Sequence, residues 1–322
     1  MPYTADDWPI TAALLQFAGV DDQGRAVNDA DPSHWRGVFE EVRDAGFDNA
    51  DLFDSWIKPG DLSLDRLEAL GSAAKEVGIG LPSVSAIRRS VIDAEHGEDN
   101  LAYSHRTLEA AAALGCRVVS FGLHQALTPE QQKQLWFWTV EGHKDSQADR
   151  DMWNLAVKRL QELGRHADEL GLLMSLEMYE DTYLGTADSS VALVKDIGLD
   201  NVGINPDVGN LIRLHRPIEP WLEIMEKTMP YANYWHVKNY IRDEDVARDY
   251  YVAMPAPLES GLISYRKAFE IALANGFQGI ICTEHYGGDG LSVSSSNQRY
   301  LREKILPRTS DYALGKSQVR QG

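Results

Sequence analysis

Six times along this chain a helical pattern stops at a glycine and an apolar run starts within a few residues. The junctions are RDAG–FDNADLF at Gly46, KEVG–IGLPSVS at Gly78, AALG–CRVVSFG at Gly115, DELG–LLMSLE at Gly171, KDIG–LDNVGIN at Gly198 and LANG–FQGIICTE at Gly276. Glycine is favoured just past a helix end because the backbone there turns to positive φ. A strand that follows at once is the second half of a βαβ unit. Strand-like runs fall at about 11–17, 49–54, 80–85, 117–122, 172–178, 201–206, 232–237 and 279–284. Helical periodicity fills most gaps, as in SHWRGVFEEVRDA, where Trp35, Val38, Phe39 and Val42 share one face. Eight alternating units with Val/Ile/Leu-rich strands predict an α/β fold, a (β/α)8 TIM barrel, with a doubly wound open sheet as the alternative.

A barrel of this kind takes roughly 250 residues, and the chain has 322. Two stretches break the rhythm, 125–150 after the fourth strand and 240–260 after the seventh. Both follow strand ends, so both are expected as active-face loop insertions that build a pocket or lid. The expected organisation is one catalytic barrel over 1–307 and a polar tail, 308–322, read as a mobile end or a subunit contact. A net charge of -18 argues against nucleic acid and against anionic membranes as partners. Cys116 and Cys282 both lie in or beside apolar runs and read as small buried thiols in a reducing compartment. The first residues lack a basic, apolar leader, so a cytoplasmic location is expected.

Chemistry enters at four strand ends. LLMSLE ends at Glu177, VGINPD at Asp207, YWH at His236 and GIICTE at Glu284. The first three sit roughly 30 residues apart, the length of one βα unit. Three carboxylates and an imidazole on successive strand ends suit one divalent cation, manganese first, with magnesium, cobalt or zinc as alternatives. Lys238 lies two residues beyond His236, on the same side of its strand, where it can polarise a substrate oxygen. His124 ends the fourth strand and is a candidate substrate contact. The first insertion carries Trp136, Phe137, Trp138, Glu141 and His143, with Trp153 following. Its aromatic content suits a flat apolar group, and His143 is its best free base. His215 with Arg213 and Arg216 is a possible anion site, and GGDG at 287–290 reads as a tight turn.

SLEMYED, INPDVGN, WHVKN and TEHYGGDG resemble the last four strand ends of the xylose isomerase-like, sugar-phosphate isomerase/epimerase barrels. The resemblance implies that Glu177, Asp207, His236 and Glu284 hold one divalent metal, and that a keto sugar binds to it. In ketose 3-epimerases of that family the matching Glu177 and Glu284 would also form the acid/base pair. One position departs from the pattern: Asn210 stands where many members carry a histidine, and it can bond a sugar hydroxyl but not shuttle protons. With the aromatic insertion, the chain is most similar to the barrel subunit of bacterial C-glycoside deglycosidases. That likeness implies a 3-keto glycoside substrate, His143 as base, an aromatic aglycone near Trp136, Trp138 and Glu141, a smaller β-rich partner subunit and an oligomeric assembly.

Overall fold

The computed structural model describes residues 1–322. Eight parallel strands, β1 (Ile10–Ala13), β2 (Asn49–Phe53), β3 (Gly80–Ala86), β4 (Val118–Phe121), β5 (Leu173–Glu177), β6 (Val202–Asn205), β7 (Tyr234–Val237) and β10 (Ile280–Thr283), pair in the order β6-β5-β4-β3-β2-β1-β10-β7. The ladder of β1 on β10 excludes the open doubly wound sheet. The β6–β7 seam has a single backbone bridge, Ile204 to Ala232. Side chains complete it. The His236 N–H donates to Asn205 Oδ1 at 2.8 Å, and Asn233 Nδ2 donates to the Met174 carbonyl at 3.1 Å. The fold is therefore the predicted (β/α)8 barrel.

Helices α1 (Pro32–Asp44), α2 (Leu64–Val77), α3 (Gly97–Ala113), α5 (Arg150–Glu169), α6 (Ala187–Ile197), α8 (Trp221–Thr228), α9 (Tyr265–Ala274) and α10 (Gly290–Tyr300) surround it, with short α4 (Pro129–Gln132) and α7 (Val208–Ile212) on loops. All six junction glycines have positive φ. Trp35, Val38, Phe39 and Val42 form the buried stripe of α1.

Period-two alternation sorts each strand into an outward apolar set and an inward set. Leu173, Tyr234, Ile280 and Val118 share a small cluster inside the barrel, apart from the large core beneath the helices. Two residues along, Ser175, His236 and Cys282 follow on the inward side, and two further come Glu177, Lys238 and Glu284. The inside is largely apolar at its base, where Asp51 and Ser83 meet the Tyr234 hydroxyl, and gathers most of its charge at its C-terminal mouth.

Three expectations need correction. The first strand ends at Ala13, because Leu14–Gln16 turns into a 3-10 helix. The 240–260 insertion is an antiparallel hairpin, β8 (Asn239–Asp245) on β9 (Tyr250–Ala256), with Ile241 opposite Met254. The tail lies against the barrel's base: Gln318 and Arg320 donate backbone N–H bonds to Pro230 and Asp200, and Arg320 pairs with Asp168 and Asp200. Both cysteines are buried and unbridged, and no helix is long and apolar enough to cross a membrane.

Candidate metal centre

Glu177, Asp207, His236 and Glu284 converge at the barrel mouth, each at most 4% exposed. His236 Nδ1 is the common point, 3.7 Å from Glu177 Oε2, 3.8 Å from Asp207 Oδ2 and 3.4 Å from Glu284 Oε2. Its other nitrogen, Nε2, lies 3.2 Å from Ser85 Oγ. A ligating imidazole needs such a partner on its far side to fix tautomer and orientation. Asp207 caps α7, where its Oδ1 accepts the Asn210 N–H and Oδ2 is left facing the centre.

Glu177 Oε2, Asp207 Oδ2 and His236 Nδ1 are buried without a hydrogen-bond partner, and one ligand atom from each residue lies within 4.8 Å of the others. Orphaned acceptors in so small a volume are costly unless a cation joins them. Lys238 answers part of the need. Its Nζ donates to Glu284 Oε1 at 2.7 Å and makes an ion contact, poorly aligned as a hydrogen bond, to Asp207 Oδ2 at 2.7 Å. Gly209 makes room for it, since a Cβ there would meet Lys238 Cγ at 2.3 Å.

The electrostatics show the same shortage. Burial pushes Asp207 up to about 7 despite Lys238, with Glu284 and Glu177 adding to the rise. Burial opposes charge on His236, yet Glu177, Glu284 and Asp207 raise it to about 9. Burial would raise Glu177 and Glu284 as well, but His236 and, for Glu284 above all, Lys238 hold both below the usual carboxylate range. An acid driven to keep its proton beside an imidazole driven to gain one marks a site short of positive charge. Three carboxylates, one ammonium and a divalent cation would balance. The donor set fits a hard or borderline divalent metal.

The remaining predicted residues divide. Asn210 Nδ2 donates to Glu177 Oε1 at 3.0 Å and to the Met178 carbonyl at 2.9 Å, so its amide nitrogen orients a ligand. His124 is buried against Tyr179, its Nε2 3.6 Å from Glu177 Oε1 and both ring nitrogens unpaired. Burial lowers its pKa, Glu177 notwithstanding. Trp138 is buried and stacks on half-buried Trp136, their centroids 5.0 Å apart. Gly287 seats Trp136, whose ring edge lies 2.6 Å from where a Cβ would stand. His143 and Glu141 are exposed, and Glu141 pairs with Lys144. Both line a cleft of about 200 Å³ with Trp138, Tyr179, Glu180 and Arg88, and no metal ligand is among its walls. Trp153 belongs to α5 and bonds Asp196. The possible anion site is used up: Arg213 pairs with Glu180, Arg216 with Asp181, and His215 Nε2 meets the Ala253 backbone. In GGDG, Gly287 and Gly288 take positive φ and Asp289 caps α10, a tight turn as read.

Sequence reasoning missed Ser85, and Asp51, which is buried inside the barrel and accepts from the Tyr234 hydroxyl at 2.7 Å. A polar residue inside an apolar strand run was the available signal.

A family profile described as xylose isomerase-like TIM barrel matches residues 39–305. A xylose isomerase-like TIM barrel protein from Mycobacterium smegmatis, crystallised in complex with magnesium, is 44% identical, with TM-score 0.89 over 94% of this chain and 97% of that one. D-psicose 3-epimerase from Clostridium cellulolyticum H10 superposes with TM-score 0.62 at 15% identity, over 91% of this chain and 96% of that one. The 3-keto-D-glucoside 4-epimerase YcjR from E. coli gives TM-score 0.62 at 16% identity, over 92% and 99%. A search of curated proteins finds no sequence match.

Proposed function

Because the chain belongs to the xylose isomerase-like TIM barrel family, we propose that it is a divalent-metal-dependent lyase acting on a 3-keto glycoside. The observation that carries this reading is the cleft beside the charged barrel mouth, a mainly polar space to which Trp138 and Tyr179 give two aromatic faces. A free ketose needs only the mouth, whereas a glycoside needs a second compartment for its aglycone. Glu177, Asp207, His236 and Glu284 would hold the cation, manganese by donor preference, with magnesium the alternative nearest to hand in the Mycobacterium smegmatis protein. Once bound, it supplies Lewis acidity toward the keto oxygen of the sugar.

The chain's own groups supply the rest. Lys238, with its pKa well above the ordinary value between Asp207 and Glu284, keeps its proton and can offer an N–H to a substrate oxygen. Trp138 and Tyr179 shield the mouth from water. The reading assigns the C2 proton to His143, which lies exposed on the cleft wall, apart from the metal ligands. The electron pair of that C–H bond becomes the C1–C2 double bond, and the C1–aglycone bond breaks with its electrons leaving on the aglycone. The reading carries with it a smaller β-rich partner subunit, an oligomeric assembly and a cytoplasmic location.

The test is release of aglycone from a 3-keto C-glycoside by the manganese-loaded protein, run on the chain alone and on the complex recovered from cells. Absence of release from both would end the lyase reading. His143→Ala is expected to lower release by about 10²-fold or more, the usual span for a general base, with metal content intact by atomic emission. Metal loss in that variant would make His143 a ligand and remove it as the base.

A second reading has its own observation. Glu177 and Glu284 each turn one oxygen toward His236 Nδ1 and have the other hydrogen-bonded, to Asn210 and Lys238. Such a pair suits taking a proton from one face of a ketose and returning it to the other. Solvent deuterium incorporated at C3 of a ketose, with nothing expelled, would favour epimerisation.

A further inference from the structure

Asp207 is the N-cap and Arg213 the C-cap of α7, whose five residues are all buried, so Arg213 is carried into the interior with them. Arg213 is fully buried, and one of its nitrogens does all its hydrogen bonding: Nη2 donates to both Glu180 oxygens at 3.0 Å. Nε and Nη1 have no partner. Neither do two buried donors close by, the Trp138 indole N–H and the Tyr240 hydroxyl. Trp138 lies 4.7 Å from the guanidinium, and its ring meets Tyr240 edge-on at 5.7 Å. Phe137, Tyr179 and Tyr286 stand round the same guanidinium at 4.9, 5.5 and 5.6 Å.

A buried donor without an acceptor forfeits its hydration and gains nothing in return. An ion pair that served packing alone would gain nothing from several such donors gathered at one place. Location supplies the missing reason. Trp138, Tyr179 and Glu180 also wall the cleft, while Tyr286 stands 5.2 Å from the Lys238 ammonium. The Arg213 box is thus the partition between the cleft and the metal centre. A sugar held at the centre would carry its anomeric substituent into it.

We propose that Arg213 and Tyr240 form the subsite for that substituent, an aromatic ring bearing oxygen acceptors, with Trp138 as the side chain that gives way to it. This rests on the 3-keto glycoside reading. The aromatic walls that stay, Tyr179, Tyr240 and Tyr286, select a flat ring. The unpaired groups are donors, so they select oxygen on its rim. Glu180 already matches the Arg213 charge, so a phenolic or carbonyl oxygen fits better than a phosphate, which would have to displace Glu180. Trp138 fills the box in this structure, and no hydrogen bond of its indole holds it there. Its ring turns out with the Phe137–Thr139 3-10 turn as the substrate ring enters.

The experiment compares wild type with Arg213→Lys and with the double variant Arg213→Met/Glu180→Gln. The double variant removes both charges together and so leaves no unpaired buried carboxylate. Substrates are 4-nitrophenyl and methyl 3-keto-β-glucosides, which share the sugar and differ only in the proposed occupant. The ratio of their kcat/KM values is read, so that intrinsic leaving-group reactivity cancels between proteins. The ratio is expected to fall about tenfold or more in both variants, mostly through KM of the aromatic substrate, with metal content unchanged. An unchanged ratio overturns the subsite. Should wild type release neither aglycone, the lyase reading has failed, and the subsite is judged by binding. 4-Nitrophenol should then quench tryptophan fluorescence of wild type and not of the double variant; equal quenching, or none in wild type, overturns it.

Discussion

Glu177→Gln is expected to lower turnover about a thousandfold or more, within the range for losing an acid/base group that is also an electrostatic contact. The substitution preserves shape and removes one charge. It also meets a conflict of donors. Glu177 Oε1 accepts from Asn210 Nδ2, and Oε2 faces His236 Nδ1 with no other partner. A glutamine amide must put its NH2 either against the Asn210 NH2 or against the cation's position. Each orientation sets positive against positive. Stability should fall as well. Without metal, and against the effect of burial, His236 and His124 hold the Glu177 carboxylate below its usual range, a stabilisation present at neutral pH that the amide loses, so the melting temperature should drop under chelation. Steady-state kinetics at saturating manganese and thermal melts with EDTA check the two halves. Activity within tenfold of wild type would remove Glu177 from the chemistry.

The contrast between Glu177 and Arg213 shows what was legible in the sequence. Glu177, Asp207, His236 and Glu284 each close an apolar run of fixed period, and the barrel repeat dictates where such runs point. Period two likewise placed Lys238 on the side of His236. Those inferences need only strand geometry, which local sequence determines. The groups whose surroundings were not legible lie past the strand ends. The bond of Asn210 to Glu177 Oε1 depends on how the one-and-a-half-turn α7 docks. Arg213 was grouped with His215 and Arg216 as loop cations. The apolar run Val208–Leu214 around it, interrupted otherwise by Gly209 and Asn210 alone, was the signal that α7 lies inside. His143 and Glu141 sit on an insertion with no period to orient them, and they come to rest on the cleft wall, outside the ligand cluster. Ser85 acts across the barrel from His236, a pairing set by closure of the sheet and invisible along the chain.

Lys238→Met should destabilise the metal-free protein by about 3–5 kcal/mol, the cost of stripping one partner from a buried charge pair. Lys238 is 2% exposed and its ammonium lies 2.7 Å from both Asp207 and Glu284, closer than His236 comes to either. Its loss leaves three carboxylates facing one imidazole. Some protonation follows, and Asp207, already raised to about 7, is the group best placed to take it. Metal reverses the sign. In wild type the ammonium repels an incoming cation while screening its ligands; in the variant nothing competes for Asp207 Oδ2 and Glu284 Oε1. The stabilisation that saturating divalent metal confers should therefore be larger in Lys238→Met than in wild type, because metal binding to the folded state alone adds to stability in proportion to the logarithm of affinity. Denaturant melts with EDTA and with manganese measure both quantities. Turnover should still fall, since the N–H offered to the substrate oxygen is gone. A variant whose melting point responds to metal no more than wild type would show that Lys238 does not stand in for the cation's charge, and that Asp207 and Glu284 are held together by something other than electrostatic need.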